Sequence, residues 1–365
     1  MVQSVSRMKY GATLKPRLIL AAFGLAVAAL TVVVYASNSA YVTLESEAGA
    51  ISGATSSTLD SSASGSQAVK FGEQNPVGFM MPTASTVGAR CTPTETISSS
   101  VALARLRANS TLSCVIVMGA LELEGTDGID WIIEDVKFEA QGSLYVLDGY
   151  SRTGVDPFTG TQAQRPIFRH VDLVGGAVTG HGSCSSVIIG KDMRIEHANI
   201  TGCRDGIKAD DRLEVRHSWI HDNDKPDGAH SDGVQIVSGQ DIVFEGNRFD
   251  AYSTYSSDGS MTPGTWDYAS GMLQTGTITG NISATWNNNW FAGGRYTIRG
   301  AVDEPGIDVN YTFRNNRWLR YGTSVALGLT NLPAHQYGPI YTLGDADLDC
   351  SNVWDDTDEP VRAGC

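Results

Sequence analysis

Basic residues are scarce in this chain. Its 365 residues include 26 Lys and Arg against 40 Asp and Glu, a formal net charge of −14 at pH 7. That balance argues against nucleic acid as a partner, because phosphate binding needs clustered Lys and Arg. It also disfavours diffuse attraction of a polyanion, unless a bound cation or a local basic patch supplies the charge. Several chemistries lack their signatures: no Walker-type loop, dinucleotide fingerprint, zinc-ligand spacing or thiol nucleophile is recognisable. Helical periodicity is missing from the body of the chain, which excludes a helical repeat.

What is present is a short pattern that recurs seven times. An apolar residue is followed five positions later by another, with mostly polar or small residues between. The copies are Ile133–Phe138, Phe168–Leu173, Ile195–Ile200, Val215–Ile220, Phe244–Phe249, Trp286–Phe291 and Phe313–Trp318. Their last residues are 35, 27, 20, 29, 42 and 27 positions apart. Repeats of this length with strand-like alternation predict a β-solenoid. Gly, Ser, Thr and Asn are abundant and there are 12 Pro, as many short strands and turns require. In such a stack, equivalent positions of successive coils become neighbours in space.

A second short apolar strand is expected after each repeat: Ser185–Ile188, Asp205–Lys208, Asp232–Gln235, Ser270–Leu273, Tyr296–Arg299 and Ser324–Leu327. Asn288, Asn289, Asn315 and Asn316 stand at matching places and predict a short ladder of stacked amides. His170, His197 and His217 also match one another and read as stacking residues on the wall. Ser98 to Asn109 reads as a short amphipathic helix, capped by Ser98 to Ser100, that covers the open end of the first coil.

Repeats of this kind, with Asp-Gly-Ile at 205–207 and Asp-Gly-Val at 232–234, resemble the right-handed parallel β-helix (pectate-lyase-like) superfamily. That superfamily includes pectate and alginate lyases, polygalacturonases and surface adhesins. The resemblance covers roughly residues 100–345 and implies the fold more than any one activity. Residues 41–72 resemble the opening of a galactose-binding-like carbohydrate module, of which only a fraction is present. The chain is thus expected to be all-β, a right-handed parallel β-helix with a short N-terminal capping helix. The expected divisions are a signal peptide or membrane anchor (1–40), a Ser/Gly/Thr-rich stalk or partial module (41–96), the β-helix (97–345) and a disulfide-closed tail (346–365).

The first of these rests on Arg7, Lys9, Lys15 and Arg17, followed by the uncharged run Leu18 to Ala36. This is an export signal, either cleaved or retained as an anchor, and it is the only expected contact with membrane. Six Cys in an exported chain predict disulfides, with Cys91–Cys114, Cys184–Cys203 and Cys350–Cys365 as the simplest pairing. The protein is expected outside the cytoplasm, secreted or anchored, as a monomer.

The densest polar cluster falls in two consecutive coils, from Arg204 to Asp211 and from His217 to Gln235. With Ile207 and Val234 inward, Lys208 and Gln235 point outward on one face. A polysaccharide is the expected partner. The leading reading is a lyase on a uronate polymer, which needs a base and something to neutralise the substrate carboxylate. Lys208 or His230 would be the base, with Asp232 in the catalytic group. Asp205 and Asp227 would hold Ca²⁺. Gln235, Arg295 and Arg299 would bind substrate, with Trp266 and Tyr268 stacking on sugar rings. A glycoside hydrolase using paired Asp is one alternative, although Gly180-His181-Gly182 precedes Asp210-Asp211 in the reverse of the polygalacturonase order. A non-catalytic glycan-binding or adhesin solenoid is the other. The bland readings compete throughout: Asp before Gly commonly bonds its own turn, and an outward Lys is commonly only solvated.

Overall fold

A computed structural model describes residues 55–59, 67–71, 80–124, 127–149, 165–176, 184–224, 230–253, 267–269, 271–274, 278–300, 306–341, 346–362 and 365. The basic flank and apolar run at the N-terminus lie outside these residues. Among the described residues no helix is long and apolar enough to cross a membrane. The chain divides into two compact units, Met1–Val77 and Gly78–Cys365. In the first, Thr55–Leu59 pairs antiparallel with Gln67–Phe71.

The second unit is a parallel β-helix. Each coil contributes one short strand to each of three parallel sheets. The first sheet has nine strands, from Thr111–Ser113 to Asp347–Leu348. The second has eleven, its main path running from Glu95–Ser98 to Val353–Trp354. The third has eight, from Leu121–Glu122 to Gly338–Ile340. Pairing therefore begins before residue 97 and continues past 345.

The six-residue repeat is the corner between the first and second sheets. Its opening residues stack inward as Leu112, Ile133, Phe168, Ile195, Val215, Phe244, Trp286, Phe313 and Leu348. Its closing residues stack as Phe138, Leu173, Ile200, Ile220, Phe249, Phe291 and Trp318. All of these from Ile133 to Trp318 are at most 1% exposed, so the two columns are the core. The third residue of every copy has positive φ: Asp135, His170, His197, His217, Gly246, Asn288 and Asn315, at 49–66°. Gly, Asn, Asp and His tolerate that left-handed conformation best, which explains the residue choice.

The fourth residue of each copy is buried beneath this corner. Asn247, Asn289, Asn316 and Asn352 form the amide ladder there: the backbone N–H of each of the first three donates to the side-chain oxygen of the next, at 2.9, 2.9 and 3.3 Å. Asn289 and Asn316 were expected in it. Asn288 and Asn315 instead occupy the left-handed position one residue earlier, where Asn288 is buried and Asn315 exposed. The three histidines stack as expected, with ring centroids 4.7 and 5.2 Å apart.

The helix α1, Ser99–Asn109, caps the first coil, burying Ala102 and Leu106. Ser98 accepts a hydrogen bond from the Val101 amide, and Ser110 in a left-handed conformation ends the helix. All three cysteine pairs are bonded in sequence order, with Cα–Cα distances of 5.9, 4.8 and 5.4 Å. Three disulfides fit an oxidising, extracellular environment. One expected wall strand is corrected. Ser324–Leu327 does not join the third sheet; its place is taken by Gly338–Ile340, paired to Tyr296–Arg299. Tyr321–Ser324 instead pairs antiparallel with Leu329–Pro333, forming a hairpin. The apolar-after-turn pattern could not distinguish the two.

Candidate functional site

The three outer walls differ in what they offer a ligand. On the first sheet the charges are paired with one another. Arg169 meets Glu134 at 2.9 Å, Arg216 meets Glu245 at 2.5 Å, and Arg194 pairs with Glu196. A cleft of about 470 Å³ lies on this wall, lined by Arg165, Glu214, Arg216, Asp241, Ser283 and Thr285 among others. Concavity and an excess of positive charge therefore do not coincide, and the excess is the better guide for an anionic ligand, because here each cation is matched by a carboxylate of its own.

The second wall is covered. Ala89 donates to Asp172 at 3.2 Å, and Arg90 binds Asp135 at 2.9 Å, laying the segment before the first strand across the lower coils. The hairpin of residues 321–333 covers the upper ones. Asp222 accepts from Ser324 and from the Val325 and Ala326 amides, at 3.0 and 3.1 Å for the amides. Asp250 accepts from the Thr323 amide at 3.0 Å and from the Trp219 indole at 2.6 Å. His221 bridges Asp222 and Asn199, with ring nitrogens 2.6 and 2.7 Å from their oxygens. This buried network, partly visible in the sequence as a polar cluster, fastens the hairpin to the wall.

The third sheet carries the candidate site. Lys208 pairs in register with Gln235 on the strands Asp205–Ala209 and Asp232–Ile236. Gln235 pairs with Gln274, and Gln274 with Arg299. Alternation puts Ile207 and Val234 inward, both fully buried, while Lys208 and Gln235 are partly exposed and Arg299 is exposed. Lys208 and Arg299 are three rungs apart, about 14 Å at roughly 4.8 Å per rung.

Behind these side chains lie two carboxyls. Asp205 is 2% exposed and Asp232 is 0% exposed. The Asp232 amide donates to Asp205 Oδ1 at 3.2 Å. Lys208 Nζ and Arg204 Nη2 stand 3.6 and 3.7 Å from Asp205 Oδ2. Lys208 Nζ also donates to the Ser185 hydroxyl at 3.3 Å. Among the described residues, both oxygens of Asp232 lack a hydrogen-bond partner. Burial raises the Asp205 carboxyl against the pull of Arg204 and Lys208. Burial and then the charge of Asp205 push Asp232 well above the usual carboxylate range, against Arg204, Arg299 and Lys208. Both carboxyls are thus held toward their protonated forms, and three cations surround two carboxyls.

The structure thus brings Lys208, Asp205, Asp232, Gln235 and Arg299 onto one wall. It adds Arg204, the first residue of the polar cluster in the sequence. His230 is exposed just ahead of Ser231 and Asp232, and no hydrogen bond or ion pair engages it among the described residues. Arg295 precedes the strand of Arg299 and is partly exposed. Tyr268 packs against Tyr252, ring centroids 5.8 Å apart, inside the hairpin-covered cluster. Asp227 and Trp266 lie outside the described residues. Of the two expected Ca²⁺ ligands, Asp205 is described and Asp227 is not. Two carboxyls fall short of the six to eight oxygens that Ca²⁺ takes. The positive neighbours of Asp205 already do what a cation would. Among the described residues no group of three or more His, Cys, Asp or Glu side chains could hold a metal.

No family model, no curated protein and no solved structure matches this chain.

Proposed function

We propose that this protein is an exported, secreted or membrane-anchored β-helix that cleaves a uronate-containing polysaccharide by β-elimination along its third sheet. The carrying observation is the set Arg204, Lys208 and Arg299 around the buried Asp205–Asp232 pair, in a chain otherwise so acidic. A local basic patch is what a polyanion would need here. In this reading Lys208 and Arg299 neutralise substrate carboxylates, which acidifies the adjacent C–H. The Lys208 ammonium is committed to Asp205 and Ser185, so it has no free lone pair to accept a proton. His230, exposed and unengaged, is the better base. It takes the proton from the carbon beside the carboxylate. The C–H electron pair becomes the double bond, the glycosidic C–O bond breaks, and the leaving oxygen takes a proton from the imidazolium or from water. Asp232, fully enclosed, touches no substrate and acts through the cations it faces. No step needs a metal.

The hydrolase alternative fits less well, because neither buried carboxyl reaches a glycosidic bond. The non-catalytic binding solenoid differs only in lacking turnover. The test is incubation of the protein with pectate, alginate and glycosaminoglycans, with and without chelator, following unsaturated-uronate absorbance. We expect chelator-resistant product, a loss of about 100-fold or more in His230→Ala, and a raised KM in Lys208→Ala partly restored in Lys208→Arg. Binding without product from any of these polymers would replace the lyase reading with the binding one.

A further inference from the structure

The third sheet carries a second feature farther along the same face. Tyr296 opens the strand that ends at Arg299. Its ring lies 5.5 Å from that of Tyr337 and 4.9 Å from that of Tyr341. The outer two rings are 60% and 57% exposed, among the most exposed large apolar side chains of the described residues. Their backbones are fixed by ladder bonds, Tyr337 N to Arg295 O at 2.8 Å and Tyr341 N to Ile298 O at 2.9 Å. Gly338, in register with Tyr296, has no side chain to separate the rings. The Arg299 guanidinium sits 5.9 Å from the Tyr341 ring and enters no ion pair among the described residues.

Water-exposed rings held rigidly against one another are costly unless something covers them. Here the cover must suit both ring faces and an unpaired guanidinium. A pyranose offers an apolar C–H face to a tyrosine, and hydroxyls to the phenol groups. A carboxylate on that sugar meets Arg299 with bidentate geometry. We infer that Tyr296, Tyr337, Tyr341 and Arg299 form a sugar-stacking subsite for an acidic glycan. The glycan would lie along the third sheet, from this platform toward Lys208. This inference rests on the acidic-glycan reading above but not on turnover. It gives the ring-stacking role to these tyrosines and not to Tyr268, which packs against Tyr252.

The experiment is calorimetric titration of the full chain with a galacturonate hexasaccharide, a mannuronate hexasaccharide and neutral cellohexaose. The wild type, the double variant Tyr337→Ala/Tyr341→Ala, Tyr341→Phe and Arg299→Ala are compared. The substituted side chains are exposed, so an unchanged melting temperature checks the fold. We expect the double variant to bind an acidic hexasaccharide about tenfold more weakly. Tyr341→Phe should stay within about twofold. Arg299→Ala should lose affinity for the acidic sugars and none for cellohexaose. Acidic-sugar binding that is unchanged in the double variant overturns the subsite while leaving the proposed reaction standing. Equal loss for acidic and neutral sugars overturns its acid specificity. Absence of binding by the wild type overturns the subsite and, if no product forms either, the proposed function with it. Tyrosine-dependent binding to phosphatidylglycerol vesicles, or a tyrosine-dependent dimer in sedimentation, with no effect on sugar affinity, would assign the platform to another occupant.

Discussion

Asp232 shows how one side chain can be placed against its own chemistry. Its folded carboxyl keeps a proton that the unfolded chain releases near pH 4. The folded state therefore binds more protons, and stability falls as pH rises above that value. Asp232→Asn keeps the shape without the charge, and its amide has the Asp205 carboxyl beside it. The variant should be more stable than wild type at pH 7, by about 1–3 kcal/mol, and equal to it at pH 3. Thermal melts at both pH values check this, and a less stable variant at pH 7 would show that the carboxylate is favoured where it lies. Asn289 is the opposite case. Its side chain receives the Asn247 amide and donates to the Phe244 carbonyl at 2.9 Å. Asn289→Ala orphans both, and urea titration should report a loss of about 2–4 kcal/mol.

At the scale of elements, the hairpin over the second sheet hangs on buried carboxylates. Burial alone would raise the Asp222 carboxyl, but the bonds from His221, Ser324 and the Ala326 amide outweigh it and hold it below the usual value. The sign is thus the reverse of that for Asp232. Stability from this contact is present above about pH 4 and is lost as pH falls through the folded value. Amide exchange, corrected for intrinsic rates, should show residues 321–333 opening first on acidification. Asp222→Asn should bring that opening to neutral pH at a cost of about 2–3 kcal/mol, while the coil strands stay protected. The sequence marked Ser324–Leu327 as apolar after a turn, which is what a wall strand and a packed hairpin share. Only the partner strand Leu329–Pro333 separates them.

At the scale of the molecule, the solenoid is a stack whose coils are tied mainly to their neighbours. The Cys184–Cys203 bond joins two successive coils beside the candidate site, closing a sequence separation of 19. Replacing both with Ala should lower stability by about 2–4 kcal/mol in denaturant titration. The whole chain repels a polyanion while one wall attracts it, so binding of acidic oligosaccharide should weaken steeply between low and physiological salt. The sequence by itself determined the repeat, the two core columns, the capping helix and the stacked histidines, because inward side chains of a parallel stack must recur at matching positions. It also indicated the disulfide pairing, since adjacent coils bring sequential cysteines together. Lys208, Asp205, Asp232 and Arg299 were legible as candidates for the same reason. Only the tertiary structure decided which wall was free. The first sheet pairs its own charges, and the second is covered by segments whose contacts include separations of 45 and 104 residues. Likewise, the tyrosine platform joins Tyr296 to Tyr337 and Tyr341 across a hairpin insertion. No local pattern in the sequence encodes a contact made by the chain returning to the same wall.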